Sequence, residues 1–147
     1  DPQMIDFLAT NMIEQTGLKV ATLIRRIEDA ADLSNPNVVK VVINRNNEAM
    51  YFSRQAIPFV RDFPVDSWLE HGVYYKHVGM YAYTSQALMA IEKLHMHPYE
   101  ALEKLEQLTW IAHGLSIECF ETNMESIGID TEEDLKAVTS MIAELED

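Results

Sequence analysis

Behind Pro2, a residue suited to a first helical turn, Ile5, Leu8, Ala9 and Met12 recur at helical spacing and predict an opening helix that Gly17 ends. Val20 to Ile27 then reads as a strand and Glu28 to Leu33 as a short helical turn. Val38 to Ile43, apolar at every position but Lys40, reads as a strand of the kind buried on both faces of a sheet. After a polar turn over Asn44 to Glu48, Ala49 to Arg54 predicts a further strand, which stops before Ile57-Pro58 because proline brings no amide hydrogen to a ladder. From Phe59 to Gly72 the pattern lapses into charged, proline-containing sequence, either a plain surface loop or an arm that reaches a partner. Val73 to Tyr83 is the clearest strand of the chain. Helices follow over Ser85 to Leu94 and Pro98 to His113, the second stopped by Gly114, and Ser116 to Thr122 returns as a strand. A last helix starts at Thr131, with Asp134 in a variant capping box and Leu135, Val138, Ile142 and Leu145 on one stripe. Strands and helices interleave throughout, so the class is α/β.

A length of 147 residues, 48% of them hydrophobic, suffices for one sizeable core. No apolar run approaches the ~18 residues that would span a bilayer. Eleven basic against 24 acidic residues give a formal charge of -13, which repels nucleic acid and anionic membrane surfaces, so neither is an expected partner. The same charge requires that any small anionic substrate be met by local basic groups or a metal ion. Cys119 is the single cysteine, and its neighbours Ile117 and Phe120 predict a small buried apolar side chain. Asp1 to Met4 lacks the basic and then apolar pattern of a secretory signal, and the expected compartment is the cytoplasm.

The strand from Val73 to Tyr83 carries the first candidate chemistry. Alternation puts Tyr75, His77, Gly79, Tyr81 and Tyr83 on one face and Lys76, Val78, Met80 and Ala82 on the other. The second face suits a core; the first is a row of hydrogen-bonding rings with a glycine gap, either a ligand-binding face or aromatics packed under a helix. In a regular strand His77 and Tyr81 stand about 13 Å apart, able to bracket a polar molecule but not to touch. His95 and His97 have no further ligands at zinc spacing, and HExxH, GxSxG, Walker A and GxGxxG motifs do not occur. On the helix from Pro98, Leu102, Leu105, Leu108 and Ala112 form the apolar stripe, beside a polar side of Glu103, Glu106, Gln107 and Trp110 whose glutamates are ordinarily solvated. Asp130, just before the last helix, is either its cap or a ligand aimed off its start.

Five stretches together resemble the CMP-Kdo synthetase family, the 3-deoxy-manno-octulosonate cytidylyltransferases. They are NPNVVKVVI (Asn35 to Ile43), AMYFSRQAIP (Ala49 to Pro58), YKHVGMYAY (Tyr75 to Tyr83), LEKLEQL (Leu102 to Leu108) and GIDTEEDL (Gly128 to Leu135). The resemblance implies a single-domain, Rossmann-like mixed sheet flanked by helices, of the kind found in nucleotide-sugar transferases, and a homodimer. It covers the C-terminal, sugar-acid-binding and dimerisation part of such a domain; the family's glycine- and lysine-rich phosphate loop and its acidic motif are not in these 147 residues.

The implied reaction joins CTP and Kdo to give CMP-Kdo and pyrophosphate, with Mg2+ as cofactor, in lipopolysaccharide biosynthesis. Carried over residue by residue, His77 and Tyr81 match positions lining the sugar-acid site, and Glu106 and Gln107 match the pair that contacts it. Asp130 matches the acidic residue that reaches the metal, and Arg54 resembles a basic position near the anionic substrates. Thr109 departs from the family, which usually follows EQL with arginine. A related acidic sugar, such as an amino-substituted Kdo or a nonulosonate, and a non-catalytic sugar-binding or dimerisation fragment are the alternative readings.

Overall fold

The computed structural model describes residues 2–124 together with Glu132 and Thr139. Asp130 lies outside the described residues, as does the helix expected from Thr131 but for Glu132 and Thr139. Five strands, β1 (Val20–Arg26), β2 (Lys40–Ile43), β3 (Ala49–Ser53), β4 (Tyr75–Tyr83) and β5 (Glu118–Glu121), form one mixed sheet in the order β3-β2-β4-β1-β5. β4 is antiparallel to both β1 and β2, whereas β5 runs parallel to β1. The helices are α1 (Pro2–Glu14), α2 (Ala30–Ser34), α3 (Trp68–His71), α4 (Ser85–Ile91), α5 (Pro98–Glu103) and α6 (Gln107–Ala112).

The two faces of β4 divide as its alternation predicts. Val78, Met80 and Ala82 pack with Ala21 and Leu23 under α1, whose Met4 and Leu8, one turn apart, are 1% and 2% exposed. Tyr75, Tyr81 and Tyr83 join the opposite cluster, with Val20, Ile24, Phe52, Leu108 and Trp110. Being covered on both sides, β1 is buried from Val20 through Ile24. Complete burial of a side chain such as Leu23 contributes about 1.5–3 kcal/mol.

Elsewhere the tertiary structure departs from the local pattern. The stretch from Phe59 to Gly72 is not a plain surface loop: a 3-10 turn over Val65–Ser67 and α3 bury Trp68 against Tyr74, Ile27 and Leu33. The Trp68 indole donates to the Phe63 carbonyl and the Tyr74 hydroxyl to that of Pro58, which ties the stretch down. The apolar run before Ile43 hides Lys40, which is fully buried and donates through Nζ to the carbonyls of Asn35 (2.9 Å), Val38 (2.6 Å) and Arg54 (2.6 Å). An ammonium has three N–H groups, so the buried charge is satisfied. Cys119 is buried, as its neighbours predict, and burial pushes its thiol up to about 12.

The helix expected over Pro98 to His113 is two helices. Lys104 takes left-handed angles (φ 55°) and closes α5, and α6 begins after Glu106. Leu105 and Leu108 remain in the core while Leu102 is turned out to 78% exposure. Gly114, at φ 82°, ends α6, a backbone region glycine enters without strain. Among the described residues no helix is long and apolar enough to cross a membrane.

Candidate functional site

β4 does not pair with β1 in a single register. Leu23 opposes Val78, but the preceding residue, Thr22, opposes Tyr81, which leaves Gly79 and Met80 as extra residues on β4. Such a bulge bends the strand. The expectation that His77 and Tyr81 stand too far apart to touch is thereby corrected: their ring centroids are 5.2 Å apart on the same face. Gly79 is exposed, and a side chain there would meet nothing within 4 Å.

His77 is walled by protein. Its ring meets Phe52 of β3 edge-on at 5.1 Å, its Nε2 lies 2.9 Å from the Thr22 hydroxyl, and its amide donates to the Val39 carbonyl. Burial lowers its pKa from the ordinary 6.5 to about 4, so the ring is neutral at neutral pH. Tyr81 is enclosed by Tyr83 at 5.8 Å and by Trp110 of α6 at 5.1 Å. Its hydroxyl is buried and makes no well-formed hydrogen bond; the Thr22 side chain is near enough to act on it only weakly. Burial raises the Tyr81 phenol far above its usual range, helped by Tyr83 and Glu106, so it stays protonated. Burial, with Glu106, pushes Tyr83 up to about 12.

The break between α5 and α6 sets the other side of this face. At the break, the Glu103 carboxylate accepts from the Ser53 hydroxyl (2.7 Å) and the Arg54 amide (2.8 Å), pinning the corner to the end of β3. Arg54 returns the contact, donating through Nε to the Glu103 carbonyl (2.7 Å) and through Nη1 to that of Pro36 (2.9 Å). Glu106 follows as the exposed residue before α6 and Gln107 as its first, buried residue, one turn ahead of Trp110. Thr109 is turned inward and 4% exposed; its hydroxyl donates to the Glu100 carboxylate and accepts from the His97 amide, joining α6 to the start of α5.

His77 and Tyr81 thus share one face and Glu106 lies near enough to act on the Tyr81 and Tyr83 phenols, with Gln107 next to it in sequence at the start of α6, whereas Arg54 stands at the corner with two of its donors committed to backbone. Asp130 lies outside the described residues. Thr22, which the sequence reading did not single out, is part of this face, and so is Trp110, read there only as one residue of the helix's polar side. A hydroxyl among the buried aliphatics Val20, Ala21, Leu23 and Ile24 is the signal that marks Thr22. Among the described residues no group of three His, Cys, Asp or Glu side chains could hold a metal ion. A cleft of about 380 Å³ lies apart, at the starts of β1 and β5, lined by Lys19, Glu48, Ser116 and Glu118 among others; it includes none of the predicted site residues.

The mixed sheet with helices on both faces and a polar, aromatic strand under a broken helix is the architecture of a nucleotidyltransferase, by its match to a solved enzyme of that class. The chain superposes on the solved structure of CMP:2-keto-3-deoxy-manno-octonic acid synthetase complexed with CTP with a TM-score of 0.86 and 36% identity, over 97% of this chain and 56% of that one. Residues 1–127 match the cytidylyltransferase family. The 3-deoxy-manno-octulosonate cytidylyltransferase of Cytophaga hutchinsonii is 47% identical over 123 residues, 83% of this chain and 49% of that protein. That of Parabacteroides distasonis is 40% identical over 146 residues, 97% of this chain and 58% of that protein. The chain belongs to the cytidylyltransferase family. It spans about half the length of the curated relatives it matches.

Proposed function

We propose that this chain is the sugar-acid-binding part of a cytidylyltransferase that joins Kdo to CTP, giving CMP-Kdo and pyrophosphate for lipopolysaccharide biosynthesis. The carrying observation is the buried Tyr81 hydroxyl, without a well-formed hydrogen bond and only weakly engaged by Thr22, beside a neutral His77. Burying an unpaired hydroxyl costs about 1–3 kcal/mol, a cost that a hydroxyl-rich ligand removes. In the reaction the anomeric oxygen of the sugar attacks the α-phosphorus of CTP, the bond from that phosphorus to the departing pyrophosphate breaks, and the hydroxyl proton passes to solvent. Both reactants are anions, so the chain's task is to hold the sugar in line. Tyr81 and Gln107 offer donors, and the Glu106 carboxylate accepts from sugar hydroxyls and repels the sugar's own carboxylate. Arg54 acts in this reading as the strut of the corner that carries Glu106 and Gln107.

Magnesium belongs to this proposal through Asp130. The described residues do not by themselves fit the ion, and no step assigned to them passes through it. A homodimer in the cytoplasm completes the proposal.

Substrate titrations of His77→Ala in the full-length protein test the reading. Losing one neutral hydrogen bond raises KM for the sugar by about 2- to 10-fold and leaves KM for CTP unchanged. An equal loss for both substrates assigns His77 to packing and removes the reading's main support.

A further inference from the structure

Thr22 is fully buried in the middle of β1, and its Oγ1 meets three polar atoms of β4: the Met80 carbonyl at 2.8 Å, His77 Nε2 at 2.9 Å and, at the long limit of 3.5 Å, the Val78 carbonyl. A hydroxyl has one hydrogen to give. Two oxygens 2.8 Å apart need a hydrogen between them, and a carbonyl has none, so the Thr22 hydrogen is committed to Met80. At His77 the Thr22 oxygen is therefore the acceptor, and Nε2 carries the proton. In a neutral imidazole the other nitrogen, Nδ1, is then bare.

From this geometry we infer that Thr22 is a positioning residue that fixes His77 in the Nε2-protonated tautomer and presents Nδ1 as an acceptor, so that His77 binds a hydroxyl of the ligand and not a carboxylate or phosphate. The bulge at Gly79 and Met80 is what turns the Met80 carbonyl to Thr22, so register, hydroxyl and tautomer form one device. The neutral state of the buried ring agrees with it, because an imidazolium would attract an anion instead. The selectivity rests on the sugar-acid reading of this face; the tautomer does not.

Nitrogen NMR of the full-length protein separates the two. At neutral pH, His77 of the unsubstituted protein gives a protonated, pyrrole-like Nε2 shift and a bare, pyridine-like Nδ1 shift. A protonated Nδ1 in that spectrum overturns the inference without any variant being made. Thr22→Val keeps the branched shape but removes the acceptor: the two shifts move toward averaging, and KM for Kdo rises by about 2- to 10-fold, the worth of one neutral hydrogen bond, while KM for CTP holds. Thr22→Ser restores both readouts. Unchanged shifts in Thr22→Val overturn the inference. Shifts that move while KM for Kdo does not leave the tautomer assignment standing and defeat the sugar reading.

Discussion

The rings of His77 and Tyr81 lie 5.2 Å apart although three residues of strand separate them, because the β-bulge at Gly79 and Met80 folds the strand between them. That contact joins two ring positions into one polar surface, and its parts are testable separately.

Tyr81→Phe removes a buried hydroxyl that makes no well-formed hydrogen bond in the ligand-free protein. Relieved of that burden, the variant is more stable by about 1 kcal/mol, a rise in melting temperature of roughly 2–4 °C for a chain of this size. Its affinity for the sugar falls at the same time. Calorimetry paired with a sugar titration checks both. Lower stability in Tyr81→Phe shows that the hydroxyl is satisfied, and the argument from Tyr81 then fails.

The buried His77 predicts a pH-dependent stability. Its folded pKa, lowered by burial to about 4, lies below the ordinary 6.5, so between these values the unfolded chain binds the proton and the folded one does not. Stability is complete above about pH 6.5 and falls as pH drops toward 4, with a loss on the order of 3 kcal/mol from this ring. Carboxylates titrate over the same range but cancel in the difference between the unsubstituted protein and His77→Gln. That difference, from denaturation at pH 7 and pH 4.5, shifts in favour of the variant at low pH. A difference that does not change with pH means the ring is not buried and neutral.

At the α5–α6 corner, Glu103→Ala strands the Ser53 hydroxyl, which is 3% exposed, and the Arg54 amide without their acceptor. A loss of about 1–3 kcal/mol per stranded buried donor is expected, and Glu103→Gln, which keeps one acceptor, loses less. Because the corner carries Glu106 and Gln107, KM for the sugar rises in both variants in the same order. Urea denaturation and sugar titration of the two variants give that order; equal stability of all three proteins would show the corner to be held by other contacts.

Asp130→Asn in the full-length protein tests the proposed metal ligand. Magnesium is usually held by one or two carboxylates plus substrate phosphate, and threonine, the type of residue at 131, is itself a competent cap for the helix expected from the sequence. The variant is expected to melt within a degree or two of the unsubstituted protein while losing most magnesium-dependent activity. A melting temperature several degrees lower, with an unchanged magnesium response, makes Asp130 a cap.

The sequence by itself determined what depends on near neighbours along the chain. The two faces of β4 follow from its alternation, the end of α6 from Gly114, and the burial of Cys119 from its apolar flanks. Membership of the cytidylyltransferase family was also legible, in the order of five short stretches. Tertiary structure decided whatever needed a partner distant in sequence. Lys40 looks like an interruption of an apolar run until the carbonyl of Arg54, fourteen residues on, comes within its reach. The helix after Pro98 breaks at Lys104 where the neighbouring Glu103 carboxylate binds Ser53 and Arg54, a third of the chain back, and helical periodicity holds no record of them. Trp68 is buried in a stretch without periodicity because Tyr74 and Leu33 wait for it. The bulge of β4 is a mismatch between two strands, visible in neither alone, and it alone joins Thr22, His77 and Tyr81 into one site, since a pairing register belongs to a pair of strands.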